Sequence, residues 1–272
     1  MPEPPSPLPE RGVVLRELLE AAGRAALRHF GAPRGVRRKE DGSVVTDADL
    51  DAERVLLDGL RARWPGDATW SEESGSEPTG PEPAWTIDPI DGTSGFVEGL
   101  AYWGPTVARC VRDAEGRRHV ECGATWLPRL GEHYHVEGGV GWFDGAPLPT
   151  LADRPPRRVV YLPSDFHRHA ALRYPCKARC LGGTAAHLAL VARGAALAAI
   201  VGPGWSPWDA TAGLALIGAV GGKAVRLSDG APLDPFDPTG PAFVAGEARV
   251  VDELSRGDRV VPLHSEEQAH GS

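Results

Sequence analysis

The stretch Trp85–Phe96, WTIDPIDGTSGF, limits what this chain can fold into more than any other part of it. Apolar and β-favouring residues run into Asp88 and Pro89, and a second carboxylate, Asp91, follows three residues after the first. Pro89 has no backbone N–H and pushes Asp88 towards an extended conformation, so the run reads as a strand ending in a loop. Gly92 lets the backbone come close to an anion, while Thr93 and Ser94 offer hydroxyls and N–H groups. The fold must therefore carry a strand that delivers two carboxylates and an anion-binding loop at one end.

The surrounding pattern suggests how. RGVVLRELLEAAGRAALRHFG has apolar residues at helical spacing and a candidate C-cap at Gly31. In VVTDADLDAERVLLDGLRARWPG, Thr46 and Asp49 form a capping-box signature, and Leu50, Val55, Leu56 and Leu60 mark the apolar stripe of a helix ending before Pro65. The short runs ATWSEE, AWTIDPI, TVARCVRD, HVECGATWLP, EHYHVEGG and RRVVYLP predict a mostly antiparallel sheet. From Lys177 the pattern alternates strand, helix, strand, helix, strand, which predicts an α/β half. The expected organisation is a Pro-rich leader over residues 1–10, an α+β half over 11–150, an α/β half over 151–262 and a loose tail over 263–272. The stretches SGSEPTGPEP and LADRPPRR are the candidate boundaries.

Composition narrows the function. A net charge of −8 argues against a nucleic-acid surface, which normally shows a basic patch. No apolar run reaches the ~20 residues of a membrane helix, and the N-terminus has neither the basic nor the apolar region of a signal peptide. Cytoplasm is the expected location. The four cysteines, 110, 122, 176 and 180, are then expected as free buried thiols. His133 and His135, and likewise His167 and His169, are spaced to share one side of a strand but lack a nearby third ligand, so they are read as surface or edge residues. His187, on an apolar helix, reads as half-buried and hydrogen-bonded.

The acidic residues carry the chemistry. Glu72 and Glu73 end one strand, Asp88 and Asp91 the next, and Asp209 opens a helix. Each has a plainer explanation alone: a solvated Glu pair, a turn, an N-cap. Together, acidic oxygens from separate segments are what a hard divalent cation such as Mg²⁺ needs, and the Ile90 carbonyl is a plausible further oxygen.

DPIDGTSGF, with SEES before it and PWDATAGLALIGAVGG after it, resembles the inositol monophosphatase family of Mg²⁺-dependent phosphomonoesterases, over about Lys39 to Gly222. The resemblance implies a layered αβαβα sandwich, a small phosphorylated metabolite as substrate, two to three Mg²⁺ ions and a homodimer. It implies that Glu72, Asp88 and the Ile90 carbonyl hold one ion and that Asp88, Asp91 and Asp209 hold a second, with a third near Glu72. Asp49 and Thr93 would activate water; Gly92, Thr93 and Ser94 would bind phosphate. Lys39 would lie by the metal-held waters, and Gly183, Thr184 and Ala185 would meet the substrate's hydroxyl side. The chain departs from the family at Gly95, where asparagine is usual, and lacks an acidic residue shortly before Asp209. YWGPTVA is similar to a stretch of histidinol-phosphate phosphatases. Histidinol phosphate, a sugar phosphate and 3′-phosphoadenosine phosphate are therefore the alternative substrates, and a non-catalytic metal binder is the alternative of another class.

Overall fold

The computed structural model describes residues 7–40, 42–75, 77–154, 158–237 and 240–263. The expected leader and tail fall largely outside these residues. Helix α1 (Glu10–Leu27) and helix α2 (Asp47–Arg63) are separated by a hairpin of β1 (Arg37–Arg38) and β2 (Val44–Val45). α1 ends well before Gly31, which takes a left-handed φ of 84° in the turns beyond the helix. α2 opens on the expected capping box: Ala48 N–H donates to Thr46 Oγ1 at 3.1 Å and Thr46 N–H to Asp49 Oδ2 at 2.8 Å. Its buried face is Ala48, Ala52, Leu56, Leu57 and Leu60; Leu50 is exposed, because small alanines face α1 in its place.

Among the described residues one sheet has seven strands in chain order: β3 (Ala68–Ser71), β4 (Ala84–Asp91), β5 (Gly104–Arg112), β6 (Arg118–Leu127), β7 (Glu132–Glu137), β8 (Val140–Phe143) and β9 (Ala146–Pro147). All neighbours are antiparallel except β3 and β4. SGSEPTGPEP joins those two parallel neighbours, so it is a connection within one sheet. The one-turn helix α3 (Thr93–Val97) follows β4.

The remaining elements are β10 (Val159–Tyr161), α4 (Phe166–His169), β11 (Ala170–Leu172), β12 (Lys177–Arg179), α5 (Thr184–Ala192), β13 (Ala198–Val201), α6 (Pro207–Ala219), β14 (Lys223–Arg226), β15 (Phe243–Gly246), α7 (Ala248–Leu254) and β16 (Val260–Pro262). A second sheet runs β12-β10-β13-β15-β14, with β10 parallel to β12 and β13 and with β15 antiparallel to both its neighbours. RRVVYLP, expected in the antiparallel run, supplies β10 of this sheet. β15, α7 and the β11–β16 pair carry no signal that the sequence pattern picked out.

The layers follow from which faces are apolar. α1 and α2 cover one face of the first sheet, α5 and α6 lie between the sheets, and α7 covers the far side of the second. The result is the αβαβα sandwich. β4 is buried along its whole length because helices cover both its faces, which is why Ala84, Trp85, Ile87 and Ile90 are buried on both sides of it.

Two readings of single residue types change. His133 and His135 on β7 are both 1% exposed, packed beside α1 rather than on a surface edge. His167 and His169 are exposed but sit on the short helix α4. Cys180 is exposed, whereas Cys110 and Cys122 are buried free thiols.

Burial pushes the pKa of His133 down to about 3 and of His135 to about 4. His133 Nε2 and His135 Nδ1 are buried with no hydrogen-bond partner among the described residues. Both folded values lie below the unfolded value, so the unfolded chain binds more protons between pH 6.5 and about 4. Stability contributed by the neutral pair is present above pH 6.5 and lost as pH falls. Each histidine adds up to about 1.4 kcal/mol per pH unit to that slope. Urea unfolding at pH 7.5, 6 and 5 should show a shallower acid loss for His133→Leu/His135→Leu than for the parent chain. Carboxylates remote from the pair cancel in the difference, and Glu137, 3.2 Å from His135 Nε2, is changed to Gln in both proteins so that its own titration does not enter. Identical slopes would rule out the buried pair as the source.

Candidate active site

The site begins with an irregularity in β4. Asp88 pairs with Thr106 of β5, and Asp91 pairs with Gly104, so β4 takes three steps where β5 takes two. The extra residue is a bulge, and Pro89 can occupy it because it has no N–H to leave unpaired. Residues three apart in a regular strand face opposite sides. The bulge turns Asp91 back to the side of Asp88.

Four helix starts complete the cleft. Asp49 is the third residue of α2 and Asp209 the third of α6, where Ser206 caps the helix with the same box that Thr46 makes on α2. In both, one carboxylate oxygen is spent on the box. Ser206 N–H donates to Asp209 Oδ2 at 2.7 Å, as Thr46 N–H does to Asp49 Oδ2. The other oxygen of Asp49, Oδ1, accepts the Thr93 hydroxyl at 2.9 Å, and that hydroxyl also lies 3.0 Å from the Ile90 carbonyl. Capping and contact with Thr93 are thus simultaneous, not competing, roles. Asp209 is not itself the N-cap of α6. α3 brings Thr93 and Ser94 to the cleft, and its first residue follows Gly92, whose φ of 87° suits glycine.

α5 does something the sequence did not announce. The N–H groups at its start, from Thr184 to Ala186, hydrogen-bond the Asp91 carboxylate, with Ala186 N–H 3.2 Å from Oδ2. Gly183 makes that approach possible: a Cβ there would stand 1.9 Å from Asp91 Oδ2. Asp91 is thereby capped by a helix start in another layer. Thr86 on β4 and Thr211 on α6 are joined at 2.9 Å between their hydroxyls, which ties the two elements bearing Asp88 and Asp209.

One oxygen each from Asp88, Asp91 and Asp209 lie within 4.8 Å of one another. Asp88 and Asp91 are 2% and 4% exposed. Burial raises the pKa of all three, and their mutual charges and that of Glu72 raise it further; N–H groups at Asp91 and Asp209 oppose the rise. The ion pairs found among the described residues bring no lysine or arginine to these three. Two buried acids and the half-buried Asp209, with converging oxygens and no protein cation paired to them, fit a hard cation bound by oxygen ligands.

The structure divides the other predicted residues. Glu72 lines the cleft, but its Oε1 accepts Lys39 Nζ at 2.7 Å, and it is not among the three converging acids. Lys39 also donates to Glu73 Oε1 at 2.7 Å and does not line the cleft. Burial works against the Lys39 charge, but its bonds to Glu72 and Glu73 outweigh burial and hold its pKa above the usual value. Burial lifts Glu73 to about 7 despite Lys39. Ile90 and Gly92–Ser94 line the cleft, as do Gly183 and Thr184; Ala185 lies behind it, 1% exposed, with its N–H on Asp91. The sequence reading missed Ser43, Val44, Leu100 and Ser164, which also line it. Val44 belongs to β2 and the other three to loops, and none is an acidic residue of the kind that marked the metal site in the sequence.

The layered αβαβα fold holds a carboxylate cleft suited to a hard cation, and proteins it is similar to are phosphoric monoester hydrolases. The chain belongs to the inositol monophosphatase family, whose model matches residues 10–259. It is 33% identical over 218 residues to a histidinol-phosphatase of Chlorobaculum parvum, covering 76% of this chain and 82% of that one. It is 31% identical over 232 residues to an inositol-1-monophosphatase of Mycolicibacterium smegmatis, covering 79% and 81%. The solved structure of a Thermotoga maritima IMPase is similar with a TM-score of 0.78 at 26% identity, covering 91% of this chain and 96% of that one. Among the described residues no helix is long and apolar enough to cross a membrane.

Gly183→Ala tests how the site is held. The added methyl must push Asp91 or the start of α5 aside, at a cost of about 1–3 kcal/mol in stability. Calorimetric titration should show divalent-cation affinity lowered at least about tenfold. Unchanged affinity would mean that Asp91 does not depend on the start of α5.

Proposed function

We propose that this chain hydrolyses a small phosphate monoester with the help of Mg²⁺, two or three ions, held by Asp88, Asp91, Asp209, the Ile90 carbonyl and Glu72. The observation that carries the reading is the convergence beside Thr93 of three carboxylates, two buried and one half-buried, with no lysine or arginine paired to them among the described residues. Bound there, magnesium supplies charge neutralisation and acidifies the attacking water. The chain's own residues do the rest. The Thr93 hydroxyl donates its hydrogen towards Asp49 Oδ1, which leaves its lone pairs free to accept a proton from water in the cleft. That proton passes to Thr93 as its own moves onto Asp49, whose pKa burial raises against its hydrogen bonds to Thr46. The N–H groups of Gly92, Thr93 and Ser94 orient phosphate oxygens, and Gly183 and Thr184 face the alcohol. Lys39 holds Glu72 in place rather than touching substrate, as its two ion pairs support.

An inositol-phosphate-like monoester is the first reading of the substrate. Histidinol phosphate is the second, favoured by the 33% identity to a histidinol-phosphatase over most of both chains. A homodimer in the cytoplasm completes the proposal, on the strength of the family resemblance; sedimentation velocity of the purified protein checks the dimer.

A panel of phosphate monoesters assayed for phosphate release should give turnover with Mg²⁺, none in excess chelator and inhibition by Ca²⁺. Full activity in chelator would remove the metal from the reading. Two variants then separate binding from chemistry. Asp91→Asn takes one charge from the cation site and should weaken Mg²⁺ binding and nearly abolish turnover. Thr93→Ala should leave Mg²⁺ affinity almost unchanged and lower kcat by roughly 10²–10⁴-fold. A normal kcat in Thr93→Ala would place water activation elsewhere.

A further inference from the structure

The acidic cleft opens into a second cavity of about 560 Å³, and Ser164, Gly182, Thr184 and Asp209 line both. Away from that shared mouth its wall is mostly apolar, with Phe166, Ile200, Trp205, Leu227 and Val260, and Asp165, His169 and His187 as its titratable side chains. Several polar side chains on this wall already have one partner each. His169 Nε2 and Asp165 Oδ2 pair at 3.1 Å. Trp205 Nε1 donates to the Pro241 carbonyl at 2.8 Å. Leu181 N–H donates to His187 Nε2 at 3.1 Å, and the His187 ring stacks on Tyr161 at 4.9 Å and 6° from parallel. Because Nε2 accepts, the neutral ring carries its proton on Nδ1.

A polyol entering this space would give up water at several hydroxyls and regain few partners along the apolar part of the wall; an apolar pocket rejects one added hydroxyl only modestly, by up to about 10²-fold, so the discrimination comes from several hydroxyls together. A flat apolar body would bury surface against Trp205 and Phe166. Gly202 keeps the wall open: it lies opposite Pro163, whose Cγ would be 3.8 Å from a Cβ, and its φ is not left-handed.

We infer that this cavity receives the alcohol portion of the substrate and selects phosphate monoesters that carry a flat, weakly polar ring over polyol phosphates. The inference rests on the phosphatase reading above and, within it, puts a ring-bearing alcohol ahead of the inositol-like one.

The test compares kcat/KM for 2-phenylethyl phosphate, inositol 1-phosphate and glycerol 2-phosphate with Mg²⁺ present. All three release aliphatic alkoxides, so leaving-group reactivity does not decide the order. The expected result is a preference of at least about 10-fold for 2-phenylethyl phosphate over inositol 1-phosphate, most of it in KM. Gly202→Asp sets a carboxylate in the apolar wall, and the ratio of 2-phenylethyl phosphate to glycerol 2-phosphate should fall at least about tenfold. The wild-type ratio decides the matter by itself should that variant not fold. Turnover of glycerol 2-phosphate with equal or reversed preference between the other two overturns this inference and leaves the phosphatase reading standing. Release from none of the three overturns both.

Discussion

The mutual repulsion of Asp88, Asp91 and Asp209 is the constraint on which the rest of the structure depends. Three carboxylates, two buried and one half-buried, that approach within 4.8 Å oppose folding unless something offsets them. The chain offsets part of this with backbone dipoles. The starts of α5 and α6 direct N–H groups at Asp91 and Asp209, and α3 begins right after Gly92. Much of the layering serves that purpose, since helices must run away from the cleft for their N-termini to face it.

The same economy explains why two acids sit at equivalent places on different helices. Thr46-x-x-Asp49 and Ser206-x-x-Asp209 are both capping boxes. In each, the box fixes one oxygen and so aims the other. A carboxylate on a loop would lose more rotamer freedom on binding an ion, and its position would be less exact. Asp49 uses its aimed oxygen to hold Thr93, whereas Asp209 contributes to the acidic cluster. One local device thus produces two different chemical parts.

The degree to which this was legible in the sequence follows from how local each feature is. The capping box at Thr46 could be read directly, because it depends on residues three apart. So could the strand into Asp88 and the convergence of Asp88, Asp91 and Asp209, through their motifs. The bulge that makes Asp91 face Asp88 was only hinted at by Pro89. Long-range pairings were not legible: Glu72 with Lys39, Thr86 with Thr211, and Asp91 with the start of α5 join segments with no shared pattern. His133 and His135 were misjudged for the same reason, since burial beside α1 is a tertiary property. RRVVYLP was given to the wrong sheet because a short apolar strand does not specify its neighbours.

The pairing of Gly92 with Gly183 shows why the two sheets cannot be treated as separate functional units. A Cβ on Gly92 would stand 2.9 Å from Gly183 N, and one on Gly183 would meet the Asp91 carboxylate. Two backbones, one after β4 of the first sheet and one before α5 between the sheets, therefore meet at a point with no room for a side chain on either. Asp91 comes from the first sheet, its capping N–H groups from α5, and Asp209 from α6. Neither the strand end nor the pair of helices holds the acidic cluster alone. The cleft exists only where the layers close, so forces that hold the sheets together, chiefly the apolar contacts of α5 and α6, also set the geometry of the chemistry.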